Sequence, residues 1–152
     1  MIAALFALAF SLLPQDPATT HRGAMVMGFD QDKTAHHFRL YTDGGAIEVG
    51  VRDASDTQDR DAIRSHLPHI AMMFGEGNFD APMLVHDSAN VPGTKGMAAS
   101  KDAIRYRYED TATGGRVSIT TTDVAALAAV HDFLRYQIAE HKTGDPTVPQ
   151  KR

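Results

Sequence analysis

The stretch IRSHLPHIAMMF, residues 63–74, carries His66 and His69 three residues apart, with Met72 and Met73 one turn later. Imidazole is a ligand for Cu, Zn, Ni and Fe, and a thioether shifts the choice towards Cu(I). The whole chain holds eight His and seven Met. It has no Cys, which excludes thiolate nucleophiles, disulfides and zinc–thiolate sites. The same absence rules out c-type haem attachment and leaves haem with an axial His open.

Helical spacing places these groups. Ile63, Leu67, Ile70 and Phe74 form an apolar stripe, with His66 and Met73 beside it and His69 on its flank. Pro68 frees the carbonyl of Arg64, and a kink there would re-aim both histidines. A second stripe, Leu127, His131, Leu134 and Ile138, turns His131 towards a core. In TAHHFRLY, His36 shares a side with Phe38 and Leu40, and His37 shares the other with Arg39 and Tyr41. The expected metal ligands are His36, His66, His69 and His131, with Met73 as a further donor. Met25 and Met27, with His21 nearby, would form a flexible arm. Two other readings use the same residues. In one the histidines only pack, as buried imidazoles held by carbonyls or carboxylates often do. In the other His37, on the exposed strand face, serves as an acid or base.

Other motifs fall away. DQDKT resembles the start of a calcium loop, but Ala35 stands where glycine is needed and Tyr41 where glutamate is. No nucleophile elbow or phosphate-binding loop is present. The Gly-Gly pairs do not open directly into helices, so they read as turns rather than phosphate cradles.

The elements that must hold these residues repeat. Residues 34–51 alternate, turn at Asp-Gly-Gly and alternate again, which predicts a β-hairpin. A helix follows, with Asp56 as its cap and Gly75 and Gly77 as its stop. DAIRYRYEDTATGGRVSITTTD and DVAALAAVHDFLRYQIAEH repeat the order, with Asp123 as cap. Gly44-Gly45 and Gly114-Gly115 lie seventy residues apart, as do Asp53 and Asp123. The duplicated ββα unit predicts an α+β fold: an antiparallel sheet of four or five strands with two helices on one face. The helices need a small gap to align. The single domain spans residues 24–141, with repeats at 34–74 and 102–141 and a linker at 75–101. PMLVH in that linker is expected to add a short strand. Residues 142–152 read as an unstructured tail.

Of the 152 residues, 43% are hydrophobic and 22% charged, which fits one domain with a real core. The net charge of −4, with scattered basic residues, argues against a nucleic-acid partner. An uncovered second sheet face or edge would invite a homodimer. MIAALFALAFSLLP is too short for a comfortable membrane span and fits a signal-peptide core within residues 1–20. No Lys or Arg precedes it and no clean A-x-A site follows, so the true start is expected upstream or elsewhere. The mature chain is expected to begin near Thr19 to Ala24, to be periplasmic or secreted, and to have no stable membrane insertion.

MGFDQDKTAHHF, DGG and HLPHI together resemble a family of small, exported bacterial proteins without an established activity. GGRVSITTTDVAALAAVHDFLRYQIAEHKTGDP resembles that family's C-terminal part, so the resemblance covers nearly everything after residue 24. Some relatives carry the label aspartate carbamoyltransferase. That activity needs two domains and a Ser-Thr-Arg-Thr-type phosphate loop, which this chain lacks. The resemblance therefore implies export and these fold boundaries, and no catalytic residues.

Overall fold

The computed structural model describes residues 17–152. The apolar run taken for a signal-peptide core lies outside the described residues. The span Thr19–Ala24 falls inside a helix, α1 (Pro17–Met27). Among the described residues no helix is long and apolar enough to cross a membrane.

Alternating sequence makes the four strands: β1 (Thr34–Tyr41), β2 (Gly44–Val51), β3 (Ile104–Thr111) and β4 (Gly114–Thr121). In β1 every second residue is buried, because successive side chains point to opposite faces. The sheet is antiparallel throughout, in the order β1-β2-β4-β3. Two long helices, α2 (Thr57–Gly75) and α5 (Val124–Glu140), cover its apolar face. Asp56 Oδ1 accepts from the Asp59 amide at 3.1 Å and Asp123 Oδ1 from the Ala126 amide at 2.8 Å, closing their first turns.

The central strand pair records the duplication. Ile47 pairs with Val117, its own counterpart seventy residues on, so a pseudo-twofold axis passes through that pair. The caps Asp56 and Asp123 are sixty-seven residues apart, so the helices are offset by three from the strands. Asp53, first aligned with Asp123, instead accepts from the Ser55 amide and hydroxyl in the turn before α2. Each helix clamps the other repeat's hairpin. Arg64 of α2 donates to the carbonyls of Thr111 (2.7 Å) and Gly114 (3.1 Å). Its helical counterpart, His131 of α5, donates from Nε2 to the carbonyls of Tyr41 (2.9 Å) and Gly44 (3.1 Å).

Two expectations are corrected. PMLVH is not a strand but part of helix α3 (Asp80–His86). Asn78 Oδ1 accepts from the Asp80 amide at 2.9 Å to start it, Pro82 sits in the first turn where its missing N–H costs nothing, and Ala81 and Val85 are buried at helical spacing. A short helix α4 (Thr94–Ala99) and a 3-10 turn at Lys101–Ala103 complete the linker. The tail is also ordered. Asp145 accepts from the Phe38 amide at 3.0 Å, Gln150 bridges to Tyr41 in parallel, and the Arg152 guanidinium lies 4.4 Å over the Tyr41 ring. These partners are remote in sequence, so local pattern could not show them.

The uncovered sheet face is a charge ladder: Arg39–Glu48 at 3.5 Å, Glu48–Arg116 at 2.8 Å and Arg116–Glu109 at 3.3 Å. Among the described residues no large exposed hydrophobic side chain lies on a strand. Dimerisation through this face therefore lacks an apolar driving force.

Candidate functional site

The duplication supplies an internal comparison. One half of the core holds Phe74, Phe133 and Tyr106, with Phe74 centred 5.8 Å from Phe133 and 6.0 Å from Tyr106. Applying the offsets of sixty-seven for helices and seventy for strands, their counterparts are His141, His66 and His36. Gln137 likewise stands where the first repeat has Ile70. Three aromatic core positions of one half are imidazoles in the other.

These imidazoles gather under α1 and α3. His36 stacks on His141 with ring centroids 5.6 Å apart and planes 19° from parallel. His86, from α3, meets His141 edge-on at 5.2 Å. Phe29 stands between His36 and His66, 6.0 and 6.1 Å from each. A cavity of about 50 Å³ is lined by all four histidines and Gln137, with Met27 and ten other apolar residues making up most of its wall. His86 Nε2 donates to Gln137 Oε1 at 3.0 Å, which leaves Nδ1 with the lone pair. That Nδ1, His36 Nε2 and His66 Nε2 are buried without a hydrogen-bond partner among the described residues. A buried unpaired nitrogen is costly, and several around one cavity call for a ligand or water.

Burial sets their charge. Desolvation, and then the neighbouring His37 and Arg52, push His36 down from 6.5 to about 4. Desolvation, then His36 and His86, hold His141 at about 3. Burial and then His69 lower His66. All three are neutral at pH 7, the form in which imidazole donates to a metal.

The expected ligand set is thus only partly gathered. His36 and His66 line the cavity. His69 is exposed and Met73 half-buried on α2, and neither lines it. His131 lies at the far end of β1, held by the two carbonyls it clamps, as Arg64 holds the equivalent pair. His131→Leu is expected to cost about 2 kcal/mol in urea denaturation, through the two carbonyls left without their donor, and to leave the histidine-lined cavity unchanged. The sequence reading missed His86 and His141. Aligning the caps Asp56 and Asp123 would have paired Phe74 with His141. Nothing local marked His86. Among the described residues no group of three or more His, Asp or Glu is arranged to hold a metal ion as it stands.

A second polar site lies alongside. A groove of about 880 Å³ runs between α1 and the start of β1. His36 and His141 line both groove and inner cavity. His37 opens on the groove, and its Nδ1–H donates to Asp145 Oδ1 at 3.0 Å. Asp145 is buried and also receives Arg39 Nη1 at 2.8 Å and the Phe38 amide at 3.0 Å. Asp145→Ala is expected to lower stability by about 3 kcal/mol, leaving Arg39, His37 and an edge amide without their acceptor. Asp145→Asn keeps one acceptor oxygen and should recover part of that loss in the same denaturation assay.

No family model matches this chain, and no curated protein or solved structure matches it. The resemblance to small exported bacterial proteins rests on its motifs alone.

Proposed function

We propose that the protein binds a transition-metal ion, copper foremost, in the cavity bounded by His36, His86 and His141, with His66 and Met27 at its margins. The observation that carries this reading is that three aromatic positions in one half of the core, drawn from both repeats, are matched at their pseudo-twofold counterparts by neutral imidazoles, two of them buried, in the other half. A packing role alone would be filled at lower cost by the aromatic residues that the other half of the core uses. Two imidazoles bound tetrahedrally at about 2.0–2.1 Å put their ring centroids about 5 Å apart. The His36–His141 and His141–His86 separations, 5.6 and 5.2 Å, are close to that. Ring rotation from the stacked arrangement would bring the nitrogens onto an ion.

The duplication also supplies the test. His36→Tyr with His141→Phe installs at each position the residue of its pseudo-twofold counterpart, Tyr106 and Phe74. The wild-type protein is expected to take up about one copper per chain by elemental analysis. The double variant should fold, by circular dichroism, and take up none. Equal copper in both would overturn the reading.

The His37–Asp145 pair favours a second reading, a small enzyme in which His37 acts as acid or base. A buried carboxylate on Nδ1 fixes the tautomer and turns the Nε2 lone pair outward. The polar groove offers room for a small substrate. Activity lost in His37→Gln but kept in the copper-free double variant would favour it.

A further inference from the structure

The tail leaves half of one sheet edge open. The Lys33 carbonyl accepts from the Arg52 amide, so odd-numbered positions of β1 bond across to β2. Even-numbered positions direct both N–H and C=O the other way. At Phe38, Leu40 and Thr42 the chain's own tail takes these outward groups. Asp145 accepts from the Phe38 amide, and Gln150 bridges the Leu40 carbonyl and the Thr42 amide. The outward N–H and C=O of His36 have no partner among the described residues. They belong to the stretch of β1, residues 35–37, that lines the groove of about 880 Å³. Opposite stands α1, whose Thr20 and Ala24 are small and leave the groove wide. The register of β1 is unbroken, with no proline or bulge, the devices that keep an edge from pairing.

We propose that the groove receives an extended peptide segment, which adds as a short strand to the open half of β1 and sets an acidic side chain against Arg52. The tail is the precedent on the same edge. Gln150 already pairs there as a strand residue would, parallel to Tyr41. The Asp145 carboxylate already takes an edge amide, that of Phe38, together with a guanidinium, that of Arg39. Two residues back, His36 offers the next edge amide, and Arg52 is a guanidinium lining the same groove. Arg52 forms no ion pair among the described residues. Asp30 is engaged, by Lys33 at 4.0 Å and by the Asp32 amide at 2.8 Å. Asp32 adds one opposing charge along the groove and Lys142 one more cation. From Thr34 to Phe38 a strand spans about 13 Å, so about five residues fill the open half. With α1 alongside, a single extended chain fits where a second sheet would meet the helix. Main-chain pairing supplies affinity with little dependence on sequence, and the charge supplies the preference. This goes beyond the metal-binding reading and does not depend on it, because the edge uses the His36 backbone and not its ring.

The test titrates capped pentapeptide pools into isotope-labelled protein and follows its amide resonances. The pools are randomised except at the centre, which is glutamate, glutamine or lysine. The His36 amide is expected to shift saturably and to exchange with solvent more slowly. The glutamate pool should bind about threefold more tightly than the glutamine pool, with the lysine pool weakest. Arg52→Ala changes an exposed side chain and should erase that difference while leaving the glutamine pool's affinity as it was. A glutamate pool N-methylated at every residue has no backbone donors and should not bind. No saturable shift of the His36 amide at millimolar peptide would overturn the proposal, and so would equal binding by the N-methylated pool. Equal affinity for all three centres would overturn the acidic preference and leave strand addition standing.

Discussion

Metal-free protein is expected to lose several kcal/mol of stability as the pH falls from about 6.5 to about 4. His36 titrates at about 4 in the fold, against an ordinary value of 6.5. His141 titrates at about 3. In the unfolded chain both bind a proton near 6.5, while in the folded chain both stay neutral well below that. The unfolded state therefore binds more protons across this window, and stability must fall as the pH falls. Above pH 6.5 neither group is charged in either state and the contribution is complete. For His36 alone the depression corresponds to about 3 kcal/mol once the pH is below both values. His141 adds to this, but the two imidazoles depress one another, so the pair loses less than twice that. Total stabilities of domains are about 5–15 kcal/mol, so a loss of this size brings acid unfolding within reach. Urea denaturation across the pH range, with a chelator present, measures it. His36→Tyr/His141→Phe should remove much of the slope between pH 6.5 and 4. An unchanged slope in that variant would show that other groups drive the transition.

The largest single-residue effect is expected at Gly44. Its φ is +145°, a region L side chains rarely adopt, and a Cβ there would stand 2.0 Å from the Ile119 carbonyl oxygen. Neither the β2 nor the β4 backbone can move without breaking the central ladder, so Gly44→Ala should cost on the order of 4 kcal/mol or more. Its counterpart Gly114 is equally tight, a Cβ meeting the Val49 carbonyl oxygen at 2.2 Å. Gly144 gives the comparison. Its φ is +72° but nothing lies within 4 Å of an added Cβ, so Gly144→Ala should cost only about 1 kcal/mol. Thermal or urea unfolding of the three variants separates backbone conformation from close approach. Equal losses at Gly44 and Gly144 would sink the steric account.

These glycines also show what was legible beforehand. The Gly-Gly pairs and the spacing of seventy were visible in the sequence, but that β2 and β4 meet at the centre with Ile47 opposite Val117 was not, because a repeat spacing does not fix which strands are neighbours. The stripes on α2 and α5 were visible too, because burial on one helix face leaves a periodic trace. The placement of His131 on a buried face was right, yet its position says nothing of its partner. Only the helix-over-opposite-hairpin crossing makes it a turn clamp like Arg64. The histidine centre was harder still. It joins His36 from a strand, His66 from α2, His86 from a linker helix read as a strand, and His141 from just beyond α5. Such convergence depends on chain reversals between distant elements, and no local periodicity encodes it. The tail was missed for the same reason: Asp145, Gln150 and Arg152 find partners more than a hundred residues away.

The tail's course along β1 has a consequence for how copies of this molecule can meet. A four-stranded sheet has two open edges, and two open edges permit unlimited head-to-tail growth. Here Asp145 takes the Phe38 amide, while Gln150 takes the Thr42 amide and donates to the Leu40 carbonyl. The second half of β1 is thereby capped by its own chain, while among the described residues β3 pairs on one side only. Pairing of another copy along the full length of β1 is blocked, because the Phe38–Thr42 backbone is already taken. Strand addition between copies is thereby steered towards β3 and away from the second half of β1.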